Sequence, residues 1–410
     1  MTKLRTSSAL LLIFTVFIFC ATSQISAEGS EVLPWGVGRI RANLVWDYNG
    51  DMVVDEGANA GQYVSIAVID TGVYYWTESE TIHYHEDLEG NVLGGKGFRH
   101  WMCHVEENDN YEDIKGHGTH VSGTIAAVDN TIGVIGTAPK TKIYALRLYT
   151  QDPAEVANAT RWAVHPYHYA QIISMSLGYD YDDPELREAC DYAYAQGALL
   201  IASAGNDGKA DDIDYPAKYT SVIAVGAVDQ SDPIPQRASF SDMGPELELV
   251  APGVNVYSTW LDDGYRNNSG TSMAVPHVTG VAALIWSSKI DPEYDENGNG
   301  AWDNSEVRDK LKDTALDLGD PGKDDSYGYG LVNAWYSNQR PPGDIAGSTA
   351  DPSIPPDGRV NYKDLYVMLQ AYGSKPEDPH WDIRADIIID NHVNYEDLYI
   401  MQVHYGEIDP

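Results

Sequence analysis

Between residues 61 and 228 short apolar runs alternate with stretches whose apolar positions recur every three or four residues. The runs are YVSIAVID (63–70), TKIYALRLY (141–149), QIISMSLG (171–178), ALLIASAG (198–205) and SVIAVGAV (221–228). Each is short, rich in β-branched residues and apolar on both faces, as expected of strands buried inside a parallel sheet. Between them GTHVSGTIAAV, PAEVANATRWAV and DPELREACDYAYAQG carry helical spacing. Strands alternating with helices predict an α/β fold with a mainly parallel central sheet flanked by helices. In such sheets ligands collect at the carboxyl ends of the strands. Asp70, Ser176 and Asn206 fall at three of those ends.

The pattern changes after GYGLVNAWYSNQRPPGD, where Pro341 and Pro342 mark a linker. Beyond it, DGRVNYKDLYVMLQAYG and DNHVNYEDLYIMQVHYG repeat one plan, an acidic loop followed by a short amphipathic helix. At the other end, a basic MTKLR start and an apolar run from Ala9 to Ala21 precede the small residues of ISA. That is the form of an export signal cleaved after Ala27. The expected organisation is a signal over 1–27, a main domain over 28–339, a linker over 340–343 and a small all-α domain over 344–410. No membrane span is expected once the signal is cleaved.

Composition adds one strong constraint. The 410 residues include 62 Asp+Glu against 26 Lys+Arg, a formal net charge of −36. Such a chain repels nucleic acid and anionic membranes. The surplus suits a solvating surface, carboxylates waiting for calcium, or both. Removal of the signal leaves Cys103 and Cys190, which could form one disulfide or stay free.

Four stretches carry the chemistry. VIDTGV places Asp70 at a strand end, GHGTHVSGTIAA puts His117 just ahead of a helix, SAGNDG puts Asn206 after another strand, and SGTSMAVPHVTGVAALIW starts a helix at Ser272. Together, in the order Asp, His, Ser, they resemble the signature blocks of the subtilisin-like serine proteases, peptidase family S8, over about Leu33 to Tyr336. The resemblance implies a serine endopeptidase. Ser272 is then the nucleophile, His117 its base and later acid, and Asp70 the group that orients the imidazole. Asn206 and the backbone N–H of Ser272 would hold the oxyanion. Pro276, early in the helix, is expected to do little harm there. His120 is expected to be structural.

The same resemblance makes Ser176, Leu177 and Gly178 the edge that pairs with an extended substrate. It places Asp214 at the base of the first specificity pocket and Asp207 near its rim, which favours Lys or Arg before the scissile bond. It also implies a calcium site around VDNTIGV, with Asn130 giving a side-chain oxygen and Val128, Ile132 and Val134 their carbonyls. Asp87 and Glu31 would complete it. A second loop, DENGNGAWDNSE, matches the twelve-residue calcium template without help from the family. Asp295, Asn297, Asn299, Ala301, Asp303 and Glu306 fall at ligand positions and Gly300 at the sharp turn.

The C-terminal repeat resembles a dockerin, which implies a cohesin partner gripped by the helices from Leu365 and Leu398, and attachment to a scaffold of the kind used in polysaccharide catabolism. Its first loop offers Asp344, then after the insertion AGSTADPSIPP come Asp357, Asn361 and Asp364. The second offers Asp386, Asp390, Asn394 and Asp397, with Ile388 at a usually polar position and Asn391 in place of the turn glycine. Because EVLPWGVGRIRA resembles the start of a mature enzyme, no room is expected for the pro-segment usual in this family. The sequence therefore predicts an exported, calcium-bound, monomeric endopeptidase acting on protein or peptide. The rival reading is a catalytically silent module of the same shape.

Overall fold

A computed structural model describes residues 30–338, 362–376 and 392–403, with 378, 380, 382 and 384–386 between the last two. Strands are β1 Ser65–Asp70, β2 Tyr75–Glu78, β3 Thr81–Tyr84, β4 Val92–Trp101, β5 His104–Asn108 and β6 Lys142–Leu148. They continue as β7 Ile172–Met175, β8 Leu199–Ser203, β9 Val222–Val228, β10 Leu247–Pro252, β11 Val256–Thr259 and β12 Tyr265–Asn268. Helices are α1 Trp35–Arg39, α2 Asn43–Trp46, α3 His117–Ala126, α4 Pro153–Ala163 and α5 Pro184–Ala195. After them come α6 Thr271–Ser287, α7 Asn304–Asp313, α8 Ala334–Asn338, α9 Tyr362–Ala371 and α10 Tyr395–Val403.

Eight strands form one sheet in the order β10-β9-β8-β7-β1-β6-β4-β5, parallel except for the β4–β5 hairpin. Each of the five predicted runs forms one of these strands. Every residue of β7, β8 and β9 is buried, which is why these segments are apolar without alternation. The segments containing FRHWMCHVEEND and YYWTESETIHYH form the β4–β5 and β2–β3 hairpins. Gly94, Gly95 and Gly97 hid β4, but Gly95 and Gly97 lie where a side chain would strike the backbone oxygens of Ala145 and Asn110. Cys103 is exposed and Cys190 buried; both are free thiols.

The helices begin where polar caps dictate. Asp152 and Asp183 each precede a proline at the first helical position and accept backbone N–H groups of the first turn. That rule does not hold everywhere: α1, α2, α3 and α6 begin without a side-chain cap, and α6 is apolar nearly all round and buried over almost its whole length. It packs across β7–β10 and against α3. The helices α9 and α10 share a second apolar cluster with Leu44 and Trp335 of the main domain.

Contact between α3 and β11 is set by Gly123, where an added Cβ would lie 2.2 Å from Thr259 Oγ1 and 2.6 Å from Ser258 Oγ. Both hydroxyls are already engaged with α3 carbonyls. Gly123→Val is expected to destabilise by about 1–3 kcal/mol through overpacking. A lower urea midpoint at unchanged slope, in a Ser272→Ala background that prevents self-digestion, is the expected result.

Candidate active site

The chain leaves β1 toward β6 on one side and returns to β7 on the other, so the carboxyl ends of β1, β7 and β8 open on one edge. Asp70 ends β1, with 1% of its surface exposed. One oxygen accepts the Thr71 N–H at 2.7 Å, and the carboxylate meets His117 Nδ1 at 2.7 and 2.9 Å. Gly116, at φ +89°, makes the left-handed turn into α3 and lies flat against Trp260. Gly118 packs on the backbone of Gly72, and its N–H donates to Thr71 Oγ1. These two close approaches bring the imidazole beside the strand end.

Burial works against a charged imidazole at His117, but the charge and hydrogen bond of Asp70 outweigh it, aided by Asp113. The result is a histidine raised above its ordinary value. Asp113 was passed over in the sequence. It is buried and accepts the N–H groups of Lys115, Gly116 and Thr119 and the Thr119 hydroxyl at 2.7–2.9 Å. It ties down the turn that presents His117. His120 faces elsewhere: Nε2 lies 3.0 Å from the carbonyls of Val256 and Arg266, one on each strand of the β11–β12 hairpin. Burial pushes it down to about 4.

Ser272 is the second residue of α6. Pro276 lies deeper than the first turn, so it removes a real helical hydrogen bond, the one the Ser272 carbonyl would have accepted. The expectation that its missing N–H is idle therefore needs correcting. The freed carbonyl accepts Ser176 Oγ–H at 2.8 Å, and Ser272 Oγ–H donates to the Ser176 carbonyl at 3.3 Å. Proline thus couples the serine to the segment after β7. Asn206 Oδ1 accepts the Thr271 N–H at 2.8 Å and its hydroxyl at 3.1 Å. That fixes the amide plane and leaves its NH2 as the end available to the cleft.

The Ser176–Gly178 segment is held by Ser203 Oγ–H donating to the Leu177 carbonyl. It continues into a two-way backbone pairing of Tyr179 with Tyr215, both bonds 2.8 Å. A side chain at Gly178 would sit 2.5 Å from Asp214 Oδ2, and one at Gly205 would sit 3.0 Å from the same atom. Asp214 therefore lies between the two glycine edges. Burial first, then the charges of Asp242 and Asp207, push it up to about 6. Asp207 is exposed and paired to Lys209 at 2.6 Å. Asp242, buried and unmarked by any motif, accepts the N–H groups of Asp207 and Lys209 and lies with Asp214 against Gly205.

The first acidic site is assembled from distant segments. Glu31 N–H and Val32 N–H pair with the carbonyls of Thr131 and Gly133, which brings Glu31 Oε1 within 3.0 Å of the Asn130 N–H. Asp87, fully buried, accepts from Val134 N–H at 2.8 Å and Asn130 Nδ2 at 3.1 Å. Burial pushes Glu31 up to about 7, and Asp87 is raised as well. Two buried acids with poor solvation fit a hard cation. Val128 and Ile132 lie on the same loop.

In the 295–306 loop Asp295 Oδ2 accepts the Gly300 N–H, Asn297 Oδ1 that of Asn299, and Asn299 Oδ1 that of Ala301. Asp303 and Glu306 form a capping box for α7, while Asn297 Nδ2 lies 3.0 Å from one and 3.4 Å from the other. Asp295 Oδ1 is buried without a partner among the described residues, an oxygen suited to a cation. The same succession of bonds recurs at Asp47, Asn49 and Asp51, with Met52 at φ +63° where a glycine is usual. Of the repeat's residues, Asp364, Asp386, Asn394 and Asp397 are described, the three aspartates being buried. Asp344, Asp357, Asn361 and Asp390 lie outside the described residues, as do the signal and linker.

A carboxylate–imidazole pair and a helix-start serine on the edge of a parallel sheet define a serine peptidase of the subtilisin type. The Subtilase family profile matches residues 61–330, and the chain belongs to that family. Subtilisin DY of Bacillus licheniformis is 40% identical over 311 residues, 74% of this chain and 98% of its own. Subtilisin BL of Lederbergia lenta is 38% identical over 309 residues, again 74% and 98%. A thermostable alkaline protease of Halalkalibacterium halodurans is 40% identical over 314 residues, 76% of this chain and 74% of its own. The chain is a serine endopeptidase. No described helix is long and apolar enough to cross a membrane.

In a Ser272→Ala protein, NMR titration should place His117 above 6.5 and His120 well below it. Asp70→Asn should move the His117 midpoint downward, because it removes the charge that opposes burial. An unmoved midpoint would contradict the electrostatic account of the pair.

Proposed function

We propose that this chain is a secreted, calcium-stabilised endopeptidase that prefers Lys or Arg before the scissile bond and is held on a cohesin-bearing scaffold by its C-terminal unit. The observation that carries the catalytic reading is the Asp70–His117 pair at 2.7 Å, on the sheet edge where α6 presents Ser272. Ser272 Oγ attacks the substrate carbonyl carbon as its proton passes to His117 Nε2. The negative charge moves to the carbonyl oxygen, received by the Ser272 N–H and Asn206 Nδ2. His117 then gives its proton to the leaving amine, the C–N bond breaks, and water repeats the sequence on the acyl-enzyme. Asp70 remains a carboxylate throughout and favours the imidazolium.

The substrate strand adds to the Ser176–Gly178 edge, and Asp214 receives a cationic side chain at the pocket floor, with Asp207 at the rim. Calcium would be held by Glu31, Asp87, Asn130 and the carbonyls of Val128, Ile132 and Val134, and by Asp295, Asn297, Asn299, Ala301, Asp303 and Glu306. It would cross-link segments far apart in the chain and offset the repulsion of buried carboxylates. The dockerin reading assigns calcium also to Asp344, Asp357, Asn361 and Asp364, and to Asp386, Asp390, Asn394 and Asp397. Support for a protein partner comes from the exposed Tyr366, Leu369, Tyr395 and Tyr399 on α9 and α10, an apolar set that cohesin would cover. The leader over 1–27 supports export.

The test is cleavage of paired peptides with Lys, Phe or Glu before the scissile bond, by the chain from Glu28 in calcium. Ser272→Ala should lose on the order of 10⁶ in kcat, as expected when a triad nucleophile is removed. Lys should lead, and its advantage over Phe should shrink as pH falls through about 6, where Asp214 takes up a proton. Asp214→Asn should remove most of that pH dependence. Equal cleavage of Lys and Phe at pH 8 would discard the pocket assignment and leave the peptidase intact. A cohesin pull-down with and without chelator tests the tether separately.

A further inference from the structure

One cation of the main domain is buried with only 1% of its surface exposed, and it is not part of the active site. Arg41 sits between α1 and α2 at φ +59°. Its side chain reaches the C-terminal unit. Nη2 donates to the backbone carbonyl of Asp386 and lies 3.6 Å from Asp386 Oδ2. Nε and Nη1 are buried and have no hydrogen-bond partner among the described residues. The carboxylates whose charge it feels are Asp386 and Asp397. Asp386 and Asp397 are the first and twelfth positions of the second acidic loop, and both are buried.

A buried guanidinium is tolerated only beside opposite charge, and buried carboxylates likewise. Around this ion pair the contact is apolar. Leu44 and Trp335 pack with Val367, Met368, Ala371 and Met401, all buried. The docked face is thus distinct from the exposed tyrosines of α9 and α10. Asp386 and Asp397 fit a cation, and the cation beside them here is supplied by the chain.

We infer that Arg41 is the built-in counter-ion of Asp386 and Asp397, that it pins α9 and α10 to the peptidase unit when calcium is absent, and that calcium and the guanidinium compete for these two carboxylates. The inference rests on the acidic-loop reading of the C-terminal repeat and does not need a cohesin. Calcium entering the loop must displace the side chain, and the displaced arginine would lose its place under α9 and α10.

Hydrogen exchange on the full chain carrying Ser272→Ala, in EGTA, tests the pin. Arg41→Met should raise exchange in 362–376 and 392–403 by at least about tenfold while β1 and β7–β9 stay protected. Isothermal titration with calcium chloride should show one site tightened at least about tenfold, since no guanidinium has to leave. Unchanged exchange in the C-terminal helices would overturn the pin, and unchanged calcium affinity would overturn the competition. Should Arg41→Met also loosen the central sheet, Asp386→Asn serves instead. It leaves the peptidase unit untouched and should free the same helices; if they stay protected, the inference fails. A cohesin pull-down that fails while these shifts appear would end the tether and leave the pin standing.

Discussion

A carboxylate kept almost out of water is the constraint around which the active edge is arranged. Asp70 is 1% exposed, and a carboxylate taken out of water needs hydrogen bonds in place of its solvation. Two groups supply them: the Thr71 N–H and the imidazole Nδ1. Both depend on β1 ending where it does, in mid-sheet, with β6 and β7 on either side. Glycines at 116 and 118 then let α3 start close enough for His117 to reach it. The pair is held by hydrogen bonds from the end of β1 and the start of α3, beside an apolar sheet that keeps water from competing.

The nucleophile is secured by a similar substitution of one bond for another. A proline inside a helix ordinarily costs about 3 kcal/mol because a carbonyl is left without its N–H and the ring crowds the preceding turn. In α6 the freed carbonyl belongs to Ser272 itself, and the Ser176 hydroxyl takes it up. The defect therefore ties the helix that bears the nucleophile to the segment expected to align the substrate. Position of the serine and position of the peptide become one property.

Much of this was legible in the sequence, for a physical reason. Buried parallel strands are apolar on both faces, so runs such as VIAVGAV stand out without any partner being known. The residues Asp70, His117, Asn206 and Ser272 stand in short motifs because turns, caps and close approaches constrain their neighbours. What stayed hidden was contributed by residues whose meaning is tertiary. Asp113 and Asp242 are ordinary acids until the fold aims backbone N–H groups at them. Strand β4 was masked by glycines that are there to admit neighbouring backbone. Arg41 reads as one more surface cation, and the fold buries it against Asp386. Pro276 was visible, but its effect depended on a hydroxyl nearly a hundred residues away.

The pairing of Glu31 and Val32 with the 131–133 loop has a consequence in time as well as in space. Glu31 and Asn130 are 99 residues apart in the chain, and Asp87 lies between them, so this site cannot form until β1, α3 and their connections are already in place. Contacts with long sequence separation carry the largest loop-closure entropy and tend to form late. The N-terminal strap is therefore a closing step, laid over a finished sheet rather than guiding its assembly. Interactions that form after the folding barrier slow unfolding more than they speed folding. A strap of this kind would lengthen the lifetime of a protease that has to survive among its own active copies.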